Sequence, residues 1–104
     1  MADMTQPPQV IDNTKQARFE VSIDGRLAEL TYRRRGDRLV LVHTAVPEEL
    51  GGRGIAGQLV RAALAKATAE NLTVVPLCPF ARSWLEHHPV AAAGVQVDWG
   101  EAVD

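Results

Sequence analysis

The chain has 104 residues, of which 46% are hydrophobic and 23% are charged, and its net charge is -2. This length suits one domain, and so small a net charge argues against general nucleic-acid binding. The sequence has no apolar run of the roughly 18 residues that a membrane span needs, and no signal-peptide pattern at its start. Its single cysteine fits a reducing compartment, so we expect a cytoplasmic protein. The small net charge and the lack of a long apolar run lead us to expect neither nucleic-acid nor membrane partners.

The first half of the chain predicts a tail followed by an antiparallel meander. Residues 1–15 are polar and contain proline, which is typical of a flexible tail. Polar and apolar residues alternate over 18–23 and 27–33, which indicates two half-buried strands. Asp24-Gly25 between them is a strong hairpin signal. The third strand, over 38–46, is nearly all apolar, which predicts a place near the centre of the sheet.

A helix and a fourth strand are predicted next. Apolar residues recur at helical spacing over 55–67, and Asn71 is a suitable helix terminator. The segment 72–77 is short and β-branched, which favours a strand. Because a strand, a helix and a strand joined in this way form a right-handed crossover, the third and fourth strands should be parallel.

The last part of the chain completes the prediction of the fold. Residues 79–87 indicate a short second helix that Pro89 ends, and 95–99 indicate a final edge strand. Trp84 is interpreted as a core anchor on this helix, with Phe80 on the same face. The predicted fold class is α/β (α+β), with a mixed sheet in the order β-β-β-α-β-α-β.

Three glycines after the third strand, Gly51, Gly52 and Gly54, predict a site for a phosphate-bearing ligand. Amides of the first helical turn have no partner within the helix, and the helix dipole places partial positive charge there. Gly52-x-Gly54-x-x-Gly57 also matches the dinucleotide-binding fingerprint. That interpretation is rejected because the preceding strands are hairpin-linked and no acidic residue ends the next strand. A Walker loop is rejected too, since no Gly-Lys-Ser/Thr follows.

The segment 46–56 resembles motif A of the GNAT superfamily of acyl-CoA-dependent N-acetyltransferases, most closely the small single-domain branch. The resemblance extends over roughly residues 18 to 90. The family pattern is Gln/Arg-x-x-Gly-x-Gly/Ala, and Gly51 stands where Gln or Arg is usual. The resemblance implies one acyl-CoA-binding domain over 16–104, with acetyl-CoA as cosubstrate, an unidentified amine as acceptor and no metal. Oligomeric state is left open.

In GNAT folds the third and fourth strands diverge, and the resemblance implies that acetyl-CoA lies in this opening. Backbone groups of the third strand then bind the pantetheine arm, and amides of the glycine turn bind the pyrophosphate. The cofactor-binding residues implied in this way are Thr44, Ala45, Val46, Gly51, Gly52, Arg53, Gly54, Ile55, Ala56 and Phe80.

His43 on the third strand and Cys78 after the fourth are the candidate catalytic residues. Parallel neighbours end on the same side of a sheet, so these residues should come close together. The small branch resembles this chain in having such a His and Cys, which implies His43 as general base and Cys78 as acid or transient nucleophile. Many GNAT enzymes use a tyrosine acid, whereas this chain has Phe80 in that region and its only tyrosine, Tyr32, in the second strand.

Structural interpretations of the same residues stay open. A buried cysteine is commonly a small hydrophobe, and His43 could be a core histidine satisfied by a backbone carbonyl. His87 and His88 are too isolated for a metal site, and the basic cluster Arg33, Arg34, Arg35 and Arg38 is interpreted as a solvated hairpin tip. The alternative to direct acetyl transfer is a catalytically weak acyl-CoA-binding or partner-docking module. Thioester hydrolysis without an acceptor is a third possibility.

Overall fold

A mixed sheet of five strands with helices packed on one face forms the core of the protein. A computed structural model describes residues 9–100. The strands are β1 (Ile11–Asn13), β2 (Arg18–Ile23), β3 (Arg26–Arg35), β4 (Arg38–Ala45) and β5 (Thr73–Pro76). The helices are α1 (Ile55–Glu70), α2 (Pro79–His87) and α3 (Pro89–Ala92), and a 3-10 turn, Glu48–Leu50, lies between β4 and α1.

The strand order is β1-β2-β3-β4-β5, antiparallel from β1 to β4 and parallel between β4 and β5. The predicted fold class is therefore confirmed. Asp24 and Gly25 both have positive φ, 52° and 77°, as a two-residue hairpin turn requires. Asn71 ends α1 in the left-handed conformation, as predicted, and its amide bonds to the Ala67 carbonyl.

Alternate strand residues divide the sheet into two different faces. Leu30, Leu39 and Leu41 are fully buried on the face that packs against the helices. Their neighbours Val40 and Val75 lie on the other face and are only half-buried. Among the described residues no helix covers that second face, which we call the helix-free face.

The predicted tail over 1–15 is wrong for Ile11–Asn13, which form β1 and pair with β2. Residues 1–8 lie outside the described part of the chain. The Asp12 carboxylate holds β1 against the domain by accepting hydrogen bonds from the Tyr32 hydroxyl (2.6 Å) and the Lys66 ammonium (2.7 Å). Burial, together with the Asp12 carboxylate, raises the pKa of Tyr32. Tyr32 is therefore a structural hydrogen-bond donor.

The predicted edge strand over 95–99 is reduced to one parallel bridge between Val74 and Val97. Two backbone hydrogen bonds of 2.8 and 2.9 Å join this segment to Val74, and an ion pair of 2.6 Å links Asp98 to Arg38. The second helix is confirmed over Pro79–His87, but Pro89 also begins α3 because proline suits the first helical turn. Between residues 9 and 100, every helix is too short or too polar to cross a bilayer.

Candidate functional site

The glycine turn before α1 presents a run of free backbone amides. Gly52 and Gly54 have φ of 80° and 73°, a left-handed conformation that glycine adopts without a Cβ penalty. Gly54 caps α1 without a side-chain hydrogen bond, and the first turn contains no acidic residue. The first helical bond runs from Gln58 to the Gly54 carbonyl, and within residues 9–100 the amides of 52–57 have no acceptor. This end of α1 is therefore suited to an anion.

A cleft of about 460 Å³, the glycine-turn cleft, opens above these amides. Its volume is in the range of small-molecule sites. The predicted cofactor residues Arg53, Thr44 and Ala45 are not among its lining residues: Arg53 is exposed in the turn, and the other two end β4. The lining residues are Val46, Leu50, Gly51, Gly52, Gly54, Ile55, Ala56, Gly57, Gln58, Arg61, Phe80, Trp84 and His88, so the other seven predicted cofactor residues line it.

Trp84 of α2 packs against the hydrophobic core, as predicted, and its half-buried ring also forms a wall of the cleft. The His88 ring stacks on it with centroids 3.9 Å apart, and the Arg61 guanidinium lies 5.0 Å from its centroid. A Cβ on Gly57 would lie 2.8 Å from Trp84 Nε1. Gly57 therefore allows α1 and α2 to approach closely enough for Trp84 to form this wall.

The strands β4 and β5 separate near their carboxyl ends. Their ladder stops at Leu41 and Pro76, and the Leu41 carbonyl accepts hydrogen bonds from the Leu77 and Cys78 amides at 3.0 and 2.9 Å. Within residues 9–100, residues 42–45 of β4 pair only with β3, where a register shift places one extra residue in β4 at Val42. Such a bulge bends the strand, and it leaves the backbone groups that face away from β3 open.

The structure places His43 and Cys78 at this separation, but on opposite faces of the sheet. Cys78 is buried, and its Sγ lies 3.2 Å from Thr44 Oγ1. His43 is exposed and is paired in register with Thr31 on the helix-free face. The exposure of His43 contradicts the core-histidine interpretation, whereas the chemical roles of His43 and Cys78 stay predictions. Thr44 was predicted as a backbone contact, and its hydroxyl contact with Cys78 was missed.

The profile of the family described as "GCN5-related N-acetyl-transferase" matches residues 18–94 of this chain. The chain belongs to that family. Among relatives, Protein NATD1 of Gallus gallus is 36% identical over 87 residues, which are 81% of this chain and 79% of the relative. Protein NATD1 of Homo sapiens is 33% identical over 87 residues, covering 81% and 77%.

The same fold occurs in a solved structure of a GNAT relative. The NMR solution structure of a GCN5-like protein from Staphylococcus aureus superposes with a TM-score of 0.67 at 26% sequence identity. The superposition covers 92% of this chain and 96% of that one. These comparisons confirm the GNAT family and fold, which the glycine turn with its flanking strand and helix indicated.

Proposed function

We propose that the protein is an N-acetyltransferase that uses acetyl-CoA and transfers its acetyl group directly to an amine. The proposal is carried by the run of acceptor-free amides at residues 52–57, which opens into the glycine-turn cleft. Family membership adds the reaction class, and the separation of β4 and β5 adds a place for a linear acyl chain.

The residues around the cleft fit the parts of acetyl-CoA, which supplies an activated acetyl thioester. The amides of 52–57 bind the pyrophosphate, and Arg53 adds a positive charge in the same turn. The open backbone edge of 42–45 suits the amides of the pantetheine arm. Arg61, whose guanidinium lies over the Trp84 ring at the wall of the cleft, suits a further phosphate of the nucleotide.

We assign one of the two proton transfers of the reaction to each face of the sheet. His43 on the helix-free face is assigned to take the proton of the attacking amine. Cys78, on the same face as the cleft and in contact with Thr44, is assigned to protonate the departing sulfur. The amine nitrogen gains the acetyl carbon, the carbon–sulfur bond breaks, and each proton has a named partner.

A catalytically weak acyl-CoA-binding module is the second candidate. It is favoured by the helix-free face, which leaves His43 open to water on the acceptor side. Exclusion of water strengthens the electrostatic contributions to catalysis, so an open site is less suited to turnover. Both candidates require the same cofactor contacts and differ only in the reaction.

Mass spectrometry of reactions with acetyl-CoA and a panel of primary amines separates the candidates. We expect N-acetylated product and free CoA to form together, only when an amine is present. Free CoA formed equally without an amine indicates thioester hydrolysis. Bound acetyl-CoA that stays intact with every amine indicates the binding module, and either result contradicts the proposed transfer.

Gly57→Ala tests whether the close approach of α1 and α2 shapes the cleft. Alanine raises intrinsic helix propensity by about 1 kcal/mol, so the variant should fold. The added methyl group displaces Trp84, and we expect the dissociation constant for acetyl-CoA to rise by about tenfold in calorimetry. Gly94→Ala is the matched control, because a Cβ there meets nothing within 4 Å. Equal affinity in both variants would contradict the role of this contact.

A further inference from the structure

We propose that the acceptor of this enzyme is an amine whose apolar body ends in an anionic group, bound in a groove on the helix-free face. The proposal rests on the acetyl transfer proposed above and specifies its acceptor. The groove has a volume of about 450 Å³, and we call it the arginine groove. Its lining residues are Arg33, Arg35, Arg38, Val40, Val42, Val75 and Leu77.

The floor of the arginine groove is aliphatic and open to solvent. Val40 and Val75 lie side by side in the β4–β5 register, and Leu77 follows β5 with 63% of its surface exposed. An exposed apolar surface that is rimmed by polar residues is typical of a binding site. The described residues that line the groove are arginines, valines and a leucine, with no aromatic ring among them. The floor therefore favours an aliphatic or aromatic ligand body.

Positive charge is concentrated at one end of the groove. Arg33 is the register partner of Val40, and Arg35 is the partner of Arg38. Arg38 pairs with Asp98 at 2.6 Å, whereas Arg33 and Arg35 have no carboxylate within 4.0 Å among the described residues. On the same face, Arg18 is paired with both Glu20 and Glu29. The free charges of Arg33 and Arg35 complement an anionic group on the ligand, such as a carboxylate or phosphate.

The other end of the groove reaches the separation of β4 and β5. Val42 and Leu77 lie at this end, and His43 follows Val42 on the same face. At about 3.3 Å per residue, Val42 is about 7 Å from the row of Arg33 and Val40 and about 13 Å from the row of Arg35. An acceptor with its amine beside His43 would therefore place its anionic end at the arginines.

A second copy of the chain is a weaker candidate for the occupant. A twofold contact presents the same patch on both partners. Such a contact centred on the arginine groove would bring the charges of Arg33 and Arg35 close to their copies across the interface. Charge complementarity therefore favours the anionic ligand.

Three amines with the same eight-carbon body test the proposal: 8-aminooctanoate, octylamine and 1,8-diaminooctane. With acetyl-CoA present, we expect KM to be lowest for 8-aminooctanoate and about tenfold higher for 1,8-diaminooctane, because the far end changes from anionic to cationic. Binding is measured separately, without turnover, from methyl NMR shifts of Val40, Val75 and Leu77 during titration with 8-aminooctanoate. This second measurement keeps the groove testable if acetyl transfer itself fails.

A charge-matched pair of variants locates the contact. In Arg33→Gln/Arg35→Gln the affinity for 8-aminooctanoate should fall by about tenfold, while that for octylamine stays constant. The control, Lys15→Gln/Arg34→Gln, removes the same net charge. Arg34 lies between the two arginines in β3, but its side chain pairs with Glu70 on the helix-bearing face. The control should bind 8-aminooctanoate as the wild type does.

The outcomes separate the two proposals. Methyl shifts with 8-aminooctanoate that are lost in Arg33→Gln/Arg35→Gln support the groove, even if no amine is acetylated. Absence of methyl shifts, equal KM for the three amines, or equal losses in both double variants would overturn it. A dimer in sedimentation, together with concentration-dependent methyl shifts of Val40, Val75 and Leu77 without any ligand, would also overturn it, in favour of a second copy of the chain.

Discussion

Gly54→Glu is expected to abolish acetyl-CoA binding, with a dissociation constant at least about 100-fold higher than that of the wild type. Gly54 caps α1 at φ 73° and lies in the run of free amides. A glutamate there adds a negative charge where the pyrophosphate should bind and provides its own carboxylate to the helix amides. Isothermal titration calorimetry of the folded variant measures the loss directly.

Gly25→Glu is the control for backbone strain in this experiment. Gly25 has φ 77° in the β2–β3 hairpin, and a Cβ there meets nothing within 4 Å. Both variants force a side chain into the left-handed region at about 1 to 2 kcal/mol, so their unfolding temperatures should fall by similar amounts. Only Gly54→Glu should lose acetyl-CoA. Wild-type affinity in Gly54→Glu, or equal losses of affinity in both, would contradict the assigned site.

His43→Ala is expected to lower kcat by about 100-fold or more while the dissociation constant for acetyl-CoA stays within about twofold. His43 is exposed and lies on the face opposite the cleft, so its removal should affect neither the cofactor contacts nor the core. Single-turnover kinetics with saturating acetyl-CoA measure the change. An unchanged kcat in His43→Ala would exclude this residue as the base.

Cys78 requires a more careful substitution, because its side chain is buried against Thr44. Cys78→Ala should lower kcat, whereas Cys78→Ser keeps a proton donor and should retain more of it. Mass spectrometry of the protein with acetyl-CoA alone distinguishes an acid from a nucleophile, since only a nucleophile becomes acetylated. Full turnover in Cys78→Ala would leave this cysteine with a packing role alone.

Sequence patterns predicted most of the helices and strands, because these elements depend mainly on residues that are close together in the sequence. Alternation over β2 and β3, the Asp24-Gly25 turn and the helical spacing of α1 each depend on neighbouring residues. β1 was missed because its stabilising contacts are non-local. Asp12 bonds to Tyr32 and to Lys66, which lies 54 positions further along the chain. A strand of three residues is too short for a periodicity that would show these partners.

The candidate site divides in the same way. The glycine turn is a contiguous motif, and its cleft could be predicted from the sequence. The orientation of His43 could not be predicted from the sequence. Simple alternation from Leu39 and Leu41 would point His43 into the core, but the extra residue at Val42 turns its side chain to the other face of the sheet. The place of Trp84 in the cleft wall could not be predicted, because its contact with Gly57 joins two helices. Gly57 inside the predicted helix was the one feature of the sequence that could have indicated this close approach of the two helices.

Amide mapping by NMR tests the central claim most directly: acetyl-CoA binds to the glycine turn and to the open edge of β4. The ¹⁵N-labelled chain is titrated with acetyl-CoA, and the shift of each amide is followed to saturation. We expect the largest changes at residues 52–57, whose amides have no acceptor within residues 9–100, and at 42–45, whose edge away from β3 is unpaired in the described part of the chain. A folded protein whose amides in both segments stay unchanged at saturating acetyl-CoA would contradict the assigned site and the proposed function.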